Sequence, residues 1–166
     1  MHVKKTTLDG VLEVNLENFS DHRGEYVETY NLDLYSSKGI DVRFIQDDYS
    51  RSVRNVFRGI HGDQTTWKLV SCLSGEIKLV VVNCDKDSEH FGKYEFFILS
   101  EENRKQILIP PKFGNGHYVV SESAIFFYKQ STYYSREDQF SYKYDEAGFG
   151  IDWGENFKPI LSKRDS

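Results

Sequence analysis

The chain has 166 residues, 39% of them hydrophobic and 15% aromatic, with a formal net charge of −5. That length suits one domain with a real core, while the acidic balance excludes non-specific binding to nucleic acid or to an anionic membrane, which needs a basic face. With three prolines and no low-complexity stretch, extended disorder is excluded too, and no apolar run approaches the ~20 residues of a membrane helix.

Met1 to Thr6 leads into a mixed polar segment without an apolar signal core, so a cytoplasmic protein is expected. Leu12, Val14 and Leu16 alternate with polar positions and predict a strand. Glu25 to Tyr30 predicts another. Residues 31–39 read as one short helix ended by Gly39, and Val42 to Asp47 resumes strand character. Val56 to Ile60 is strand-like and carries Arg58 and Gly59 just before His61. Glycine inside a strand marks close approach by a ligand or another backbone. Lys68 to Leu73 and Ile77 to Asn83 flank Ser74-Gly75-Glu76, which reads as a hairpin turn. Tyr94 to Leu99 is a further strand, and Gln106 to Ile109 is stopped by Pro110-Pro111. Tyr118 to Val120 and Ala124 to Gln130 flank a second turn around residues 121–123. Phe and Tyr, with 12 and 11 copies, favour strands. The expected fold is all-β, a cupin-type jelly-roll barrel with one or more short helices, spanning 1–166 as one domain.

A barrel interior is either filled or hollow. Alternation over 124–130 turns Ala124, Phe126, Tyr128 and Gln130 to one face, which reads as interior. An inward tyrosine needs a partner for its hydroxyl. Core packing with that hydroxyl satisfied and a role in a pocket both fit the pattern.

Of five histidines, His2 is terminal and His90 lies in a polar loop stretch. His61, after its Arg- and Gly-bearing strand, fits either a structural or a chemical role. Metal-holding barrels of this shape use a His-x-His pair, but position 63 is Asp. His61 and Asp63 alone make a thin donor set, so no metal is expected. Cys72 and Cys84 fall inside apolar runs and read as reduced, buried thiols. No Gly-x-Ser-x-Gly elbow, Walker loop or Gly-x-Gly-x-x-Gly fingerprint occurs. A phosphate would have to be held by side chains such as Arg23, Arg58 and Lys68.

At Phe57-Arg58-Gly59-Ile60-His61, followed by Lys68-Leu69-Val70, the chain resembles the dTDP-4-dehydrorhamnose 3,5-epimerase family. Further landmarks occur in that family's order: Asp21-His22-Arg23-Gly24 with Glu28, Phe44-Ile45-Gln46-Asp47, Ser74-Gly75-Glu76, Leu99-Ser100 with Asn103, Ile109-Pro110-Pro111, Phe127-Tyr128-Lys129, Gly150 to Trp153, and Leu161 to Asp165. The likeness covers nearly the whole chain. Within the family, Arg58 to Asp63, Gly114-Asn115-Gly116-His117-Tyr118 and Asp138-Gln139-Phe140 are most similar to the branch acting on GDP-linked 4-keto heptoses for bacterial capsules. Typical rhamnose enzymes carry Ala-His-Gly-Phe where this chain has Gly114 to His117. The usual pocket histidine is therefore Asn115 here, and His117 does not inherit its role by position.

The resemblance implies epimerisation at C3, C5 or both of a nucleotide-linked 4-keto sugar, by an enzyme without cofactor or metal that is usually a homodimer. It implies His61 as base, Asp165 as the carboxylate orienting it, Tyr128 as the acid on the other face, and Lys68 beside the developing oxyanion. It also implies substrate contacts at Arg23, Glu28, Gln46, Asp47, Arg58, Asn115, His117, Asp138 and Arg164. Asp138 stands where Glu is usual, Arg164 where Lys is frequent, and Asp48 where Asn is usual. A 3,4-ketoisomerase of the same barrel class and a non-catalytic sugar-nucleotide-binding barrel are the rival readings.

Overall fold

The computed structural model describes residues 1–166. It contains β1 (His2–Lys5), β2 (Leu12–Asn15), β3 (Phe19–Asp21), β4 (Gly24–Tyr26), α1 (Leu32–Ser37), β5 (Gln46–Val53), β6 (Phe57–Gly62), β7 (Lys68–Ser74), β8 (Glu76–Asn83), β9 (Tyr94–Ser100), β10 (Lys105–Ile109), β11 (Phe113–Val119), β12 (Ser123–Gln130) and β13 (Phe140–Ser141). A six-stranded sheet runs β1-β2-β10-β7-β12-β5, and a five-stranded sheet runs β13-β6-β11-β8-β9. β3 and β4 form a separate pair. The two large sheets face each other as the expected jelly-roll barrel.

Period-two burial explains the assembly. Ile77, Leu79 and Val81 of β8 point inward and meet Val70 and Cys72 of β7, Ile107 and Ile109 of β10, and Ala124 and Phe126 of β12. Val80 and Val82, on the other face of β8, are covered by Phe57, Ile60 and an aromatic layer from the C-terminal segment that includes Trp153 and Phe157. A strand buried on both faces reads as a continuous apolar run, which is how Leu79 to Val82 looks in the sequence. Outside the six-stranded sheet, Tyr35 and Ile40 pack on Val14, Leu69 and Leu108. This anchors α1, whose Asn31 side chain caps the Leu34 N–H at 3.1 Å.

Several expectations are corrected. Ser74-Gly75-Glu76 is not a hairpin turn: β7 and β8 lie in different sheets, and the turn carries the chain across the barrel. The turn after β11 does the same, delivering β12 to the six-stranded sheet. A tight turn and two apolar runs look alike in both cases, because pairing is decided by strands distant in sequence. The strand foreseen over 25–30 stops at Tyr26, and the one foreseen over 42–47 begins at Gln46 and runs to Val53. β5 is a polar edge strand paired only with β12, so its extent follows the β12 ladder rather than an apolar pattern.

Gly59 shows which close approach a strand glycine serves. Its φ is 136°, and a Cβ there would lie 2.3 Å from the Gly116 Cα on β11. The β6–β11 pairing shifts register here, with Asn115 opposite His61 and His117 opposite Arg58. Gly59→Ala is expected to destabilise by about 3 kcal/mol, or roughly 6–12 °C in Tm. Gly39→Ala is a control. Its φ is +84° but nothing lies within 4 Å of a new Cβ, so about 1 kcal/mol is expected. Equal losses in thermal melts would show that the Gly116 contact is unimportant.

Candidate functional site

A cavity of about 290 Å³ opens between the two sheets. β6 supplies Arg58 and His61, and β11 supplies Asn115 and His117, all from the five-stranded sheet. β7 supplies Lys68 and Val70, and β12 supplies Phe126, Tyr128 and Gln130, from the six-stranded sheet. The C-terminal segment closes one side with Ser162, Arg164 and Asp165.

His61 Nε2 and Asp165 Oδ1 are 2.8 Å apart. The Asp165 Oδ2 accepts from Ser162 Oγ at 2.9 Å, and the carboxylate is only 4% exposed. Burial alone would raise the Asp165 carboxyl, but hydrogen bonds from His61 and Ser162, with the His61 and Arg164 charges, hold it below its ordinary value. The half-buried imidazole therefore meets an ionised carboxylate on one edge and the cavity on the other.

Tyr128 faces His61's sheet from the opposite one. Burial, then the Asp48 carboxylate and Tyr134, raise the phenol above its ordinary value, with Arg58 opposing. Tyr128 lines the cavity while its ring packs against the core, and its hydroxyl has no hydrogen-bond partner within the chain. Lys68 is 7% exposed, and its Nζ lies 3.4 Å from Asn115 Oδ1 and 3.5 Å from the His61 carbonyl. Burial lowers its ammonium, Asp63 opposes, and Arg164 adds to the lowering. His117 stacks on Phe126 with centroids 4.2 Å apart and is 3% exposed. Burial, with the Arg58 and His61 charges, pushes it down to about 3, against the pull of Asp165. It is a neutral imidazole at pH 7.

The expected site residues thus divide. His61, Lys68, Tyr128, Asp165, Arg58, Asn115, His117 and Arg164 come together around the cavity. Asp138 lines a small adjoining recess that shares Gln130, Tyr134 and Gln139 with it. Gln46 supports the wall, accepting the Tyr134 N–H at 2.9 Å. Three expected contacts lie elsewhere within the chain. Asp47 faces outward to Lys129 at 2.7 Å, because alternation on β5 turns 46, 48 and 50 inward and 47 out. Arg23 is an exposed partner of Asp21 in the β3–β4 pair, and Glu28 bonds Asn31 at the start of α1. Asp63 accepts the Thr65 and Thr66 N–H groups at 2.9 and 2.6 Å, which commits it to the turn after β6. No three His, Cys, Asp or Glu side chains converge on a metal-sized site.

Ser50, Tyr134, Gln139 and Ser162 line the cavity without having been foreseen as contacts. The Ser50 Oγ is buried without a partner. Alternation would have found it from Gln46 and Asp48 had the strand been read through to Val53. Phe126 and Gln130 were placed on the inner face by alternation, yet nothing in the pattern separated pocket wall from core.

An imidazole backed by a carboxylate on one sheet and a phenol on the opposite sheet could pass protons from and to the two sides of a bound ring. The family model described as dTDP-4-dehydrorhamnose 3,5-epimerase matches residues 5–166. The dTDP-4-dehydrorhamnose 3,5-epimerase of Salmonella typhimurium is 38% identical over 170 residues, covering 100% of this chain and 93% of that one. Its namesake from Methanothermobacter thermautotrophicus is 38% identical over 151 residues, covering 90% and 82%. Among solved structures, the dTDP-6-deoxy-D-glucose-3,5-epimerase of Legionella pneumophila in complex with dTDP-4-keto-L-rhamnose superposes with a TM-score of 0.93 at 38% identity, over 99% of this chain and 89% of that one.

Proposed function

The chain belongs to the dTDP-4-dehydrorhamnose 3,5-epimerase family, and from that membership we propose that residues 1–166 form one epimerase domain in which His61 and Tyr128 invert C3, C5 or both of a nucleotide-linked 4-keto sugar. The enzyme is an isomerase. The observation that carries the mechanism is the His61–Asp165 pair on one side of the cavity, facing Tyr128 on the other.

A ketone at C4 acidifies the hydrogens on C3 and C5. His61 takes one as the C–H bond breaks, and the electron pair moves through the new C–C double bond onto O4. Asp165 holds the imidazole in place and stabilises its protonated form. The buried Lys68 ammonium favours the charge growing on O4. Tyr128 then gives its phenolic proton to the carbon from the opposite face, and solvent resets both groups. Arg58 and Arg164 offer positive charge for the diphosphate. The expected cofactor-free chemistry needs nothing further.

The test is solvent-deuterium exchange at C3 and C5 of a 4-keto sugar nucleotide, followed by NMR. Incorporation with inverted product is expected. A wild-type enzyme that incorporates none, or that moves the carbonyl to C3, sinks the reading, the second outcome in favour of a 3,4-ketoisomerase.

For the substrate we take a GDP-4-keto-heptose of capsular polysaccharide synthesis, on the strength of Gly114 to His117 and Asp138-Gln139-Phe140. The relatives' names favour a dTDP sugar instead. Calorimetry with GDP and dTDP separates the two, and tighter binding of dTDP would discard the GDP reading. The expected homodimer is supported by apolar residues left open on the six-stranded sheet, namely Tyr49, Val53 and Leu73. Such a dimer also offers a route for Arg23 and Glu28 to reach substrate, from a neighbouring subunit. The expected cytoplasmic location is supported by two buried free thiols. No helix is long and apolar enough to cross a membrane.

A further inference from the structure

Asp48 stands on β5 directly opposite Tyr128 on β12, and alternation turns both side chains to the inner face. Its Oδ2 accepts two amide donors, Gln46 Nε2 at 2.7 Å and Gln130 Nε2 at 2.8 Å. Gln46 Oε1 in turn takes the Tyr134 N–H. One carboxylate therefore fixes the orientation of both amides and ties down Gln130 and Tyr134, two residues of the cavity wall. Its donors are neutral. Lys129, the cation next to Tyr128 in sequence, is committed to Asp47 on the outer face. A negative charge is thus held at a fixed place beside the phenol.

We propose that Asp48 is a positioning residue for Tyr128: its fixed charge adds to the burial of the ring in disfavouring the phenolate, and so carries the phenol's role as proton donor further into alkaline pH. This rests on the reading of Tyr128 as the acid. Ionising Tyr128 would set a phenolate across the strand ladder from a carboxylate, where opposed Cβ atoms lie about 4.5–5.5 Å apart. The Asp48 charge raises the phenol, so the second ionisation is disfavoured. The consequence is directional. A phenolate could abstract a proton from its own side of the ring, and Asp48 defers that species to higher pH.

Burial of the ring is the larger influence, and Asp48 adds to it. Tyr134 acts in the same direction but is itself neutral when protonated, and Arg58 opposes. His61, Lys68, Arg164 and Asp165 face the cavity from β6, β7 and the C-terminal segment, and His117 from β11. All of them, and the burial of the ring, are retained when only Asp48 changes. Asp48→Asn keeps an oxygen acceptor for a glutamine amide and removes the charge.

Two measurements test this. The first is the rate of solvent-deuterium exchange between pH 6 and 11 for wild type and Asp48→Asn. The second is the ultraviolet ionisation curve of Tyr128, taken as the difference between each protein and its Tyr128→Phe derivative. Asp48→Asn is expected to lower the alkaline limb and the phenol midpoint by about 1 pH unit or more, with the acidic limb unmoved and Asp48→Glu restoring both. A uniform loss of rate with an unmoved phenol midpoint overturns the proposal, since that is what mere wall repair would give. If Asp48→Asn does not fold, Asp48→Ser carries the same comparison. The ionisation curve needs no turnover, so it decides the Asp48 coupling even if no variant exchanges deuterium, an outcome that would instead remove the epimerase mechanism.

Discussion

His61→Asn is expected to reduce deuterium incorporation at C3 and C5 by about 10²–10⁴-fold, the usual contribution of a positioned general base. Asparagine keeps a hydrogen-bonding group opposite Asp165 but has no titratable nitrogen. The fold should survive, because the imidazole is half-buried and its ring is not part of the core clusters. Asp165→Ala should lose a comparable factor for a different reason: the imidazole remains, but loses both its fixed orientation and the negative charge that stabilises its protonated form. It should also lower stability by about 1–2 kcal/mol, because the buried carboxylate that joins His61 to Ser162 through two hydrogen bonds is lost. Since Asp165 titrates below its ordinary value, its contribution is complete above the unfolded carboxylate range and is lost as pH falls through the folded value. Deuterium exchange by NMR, with a thermal melt of each variant, separates the two effects. Normal exchange in His61→Asn would remove His61 as the base.

Acid should weaken the fold through His117. Its folded value, about 3, lies far below the ~6.5 of an unfolded histidine. Between those values the unfolded chain binds the proton that the folded chain refuses, so stability rises with pH. The full stability is present above about pH 6.5 and declines by up to about 1.4 kcal/mol per pH unit below it. Moving from pH 6.5 to 4.5 should therefore cost about 2–3 kcal/mol from this residue alone. In His117→Phe, which keeps an aromatic ring against Phe126 and cannot protonate, that part of the slope should vanish. Urea unfolding of both proteins at pH 4.5 and 7 measures it. An identical slope in the variant would mean that the imidazole is solvated or protonated in the folded state.

The fold class was legible because strand burial has period two. Alternation at Leu12 and Val14 and along 124–130, and the unbroken apolar run of Leu79 to Val82, survive in the chain as written. The edge strand β5 was read short, because a polar edge leaves no apolar signature and its length is set by β12. The two crossings at Gly75 and at 121–123 were misjudged or unassigned for a related reason. A turn dictates that the chain reverses, not which strand will lie beside it.

For the site, the sequence by itself determined part of the chemical inventory: one imidazole after a glycine-bearing strand, no second histidine at 63, and an inward tyrosine. Family likeness was needed to bring them into one group, since His61 and Asp165 are 104 residues apart and no local rule joins them. The tertiary structure alone decided which candidates share a cavity. Opposed sheets put His61 and Tyr128 on facing walls, while the parity of β5 turned Asp47 outward and Ser50 and Asp48 in. It also recast Gly59, which serves the Gly116 backbone. Side-chain direction along a strand can be read once the strand is known. Distance between strands depends on pairing, and pairing is a property of the whole folded chain.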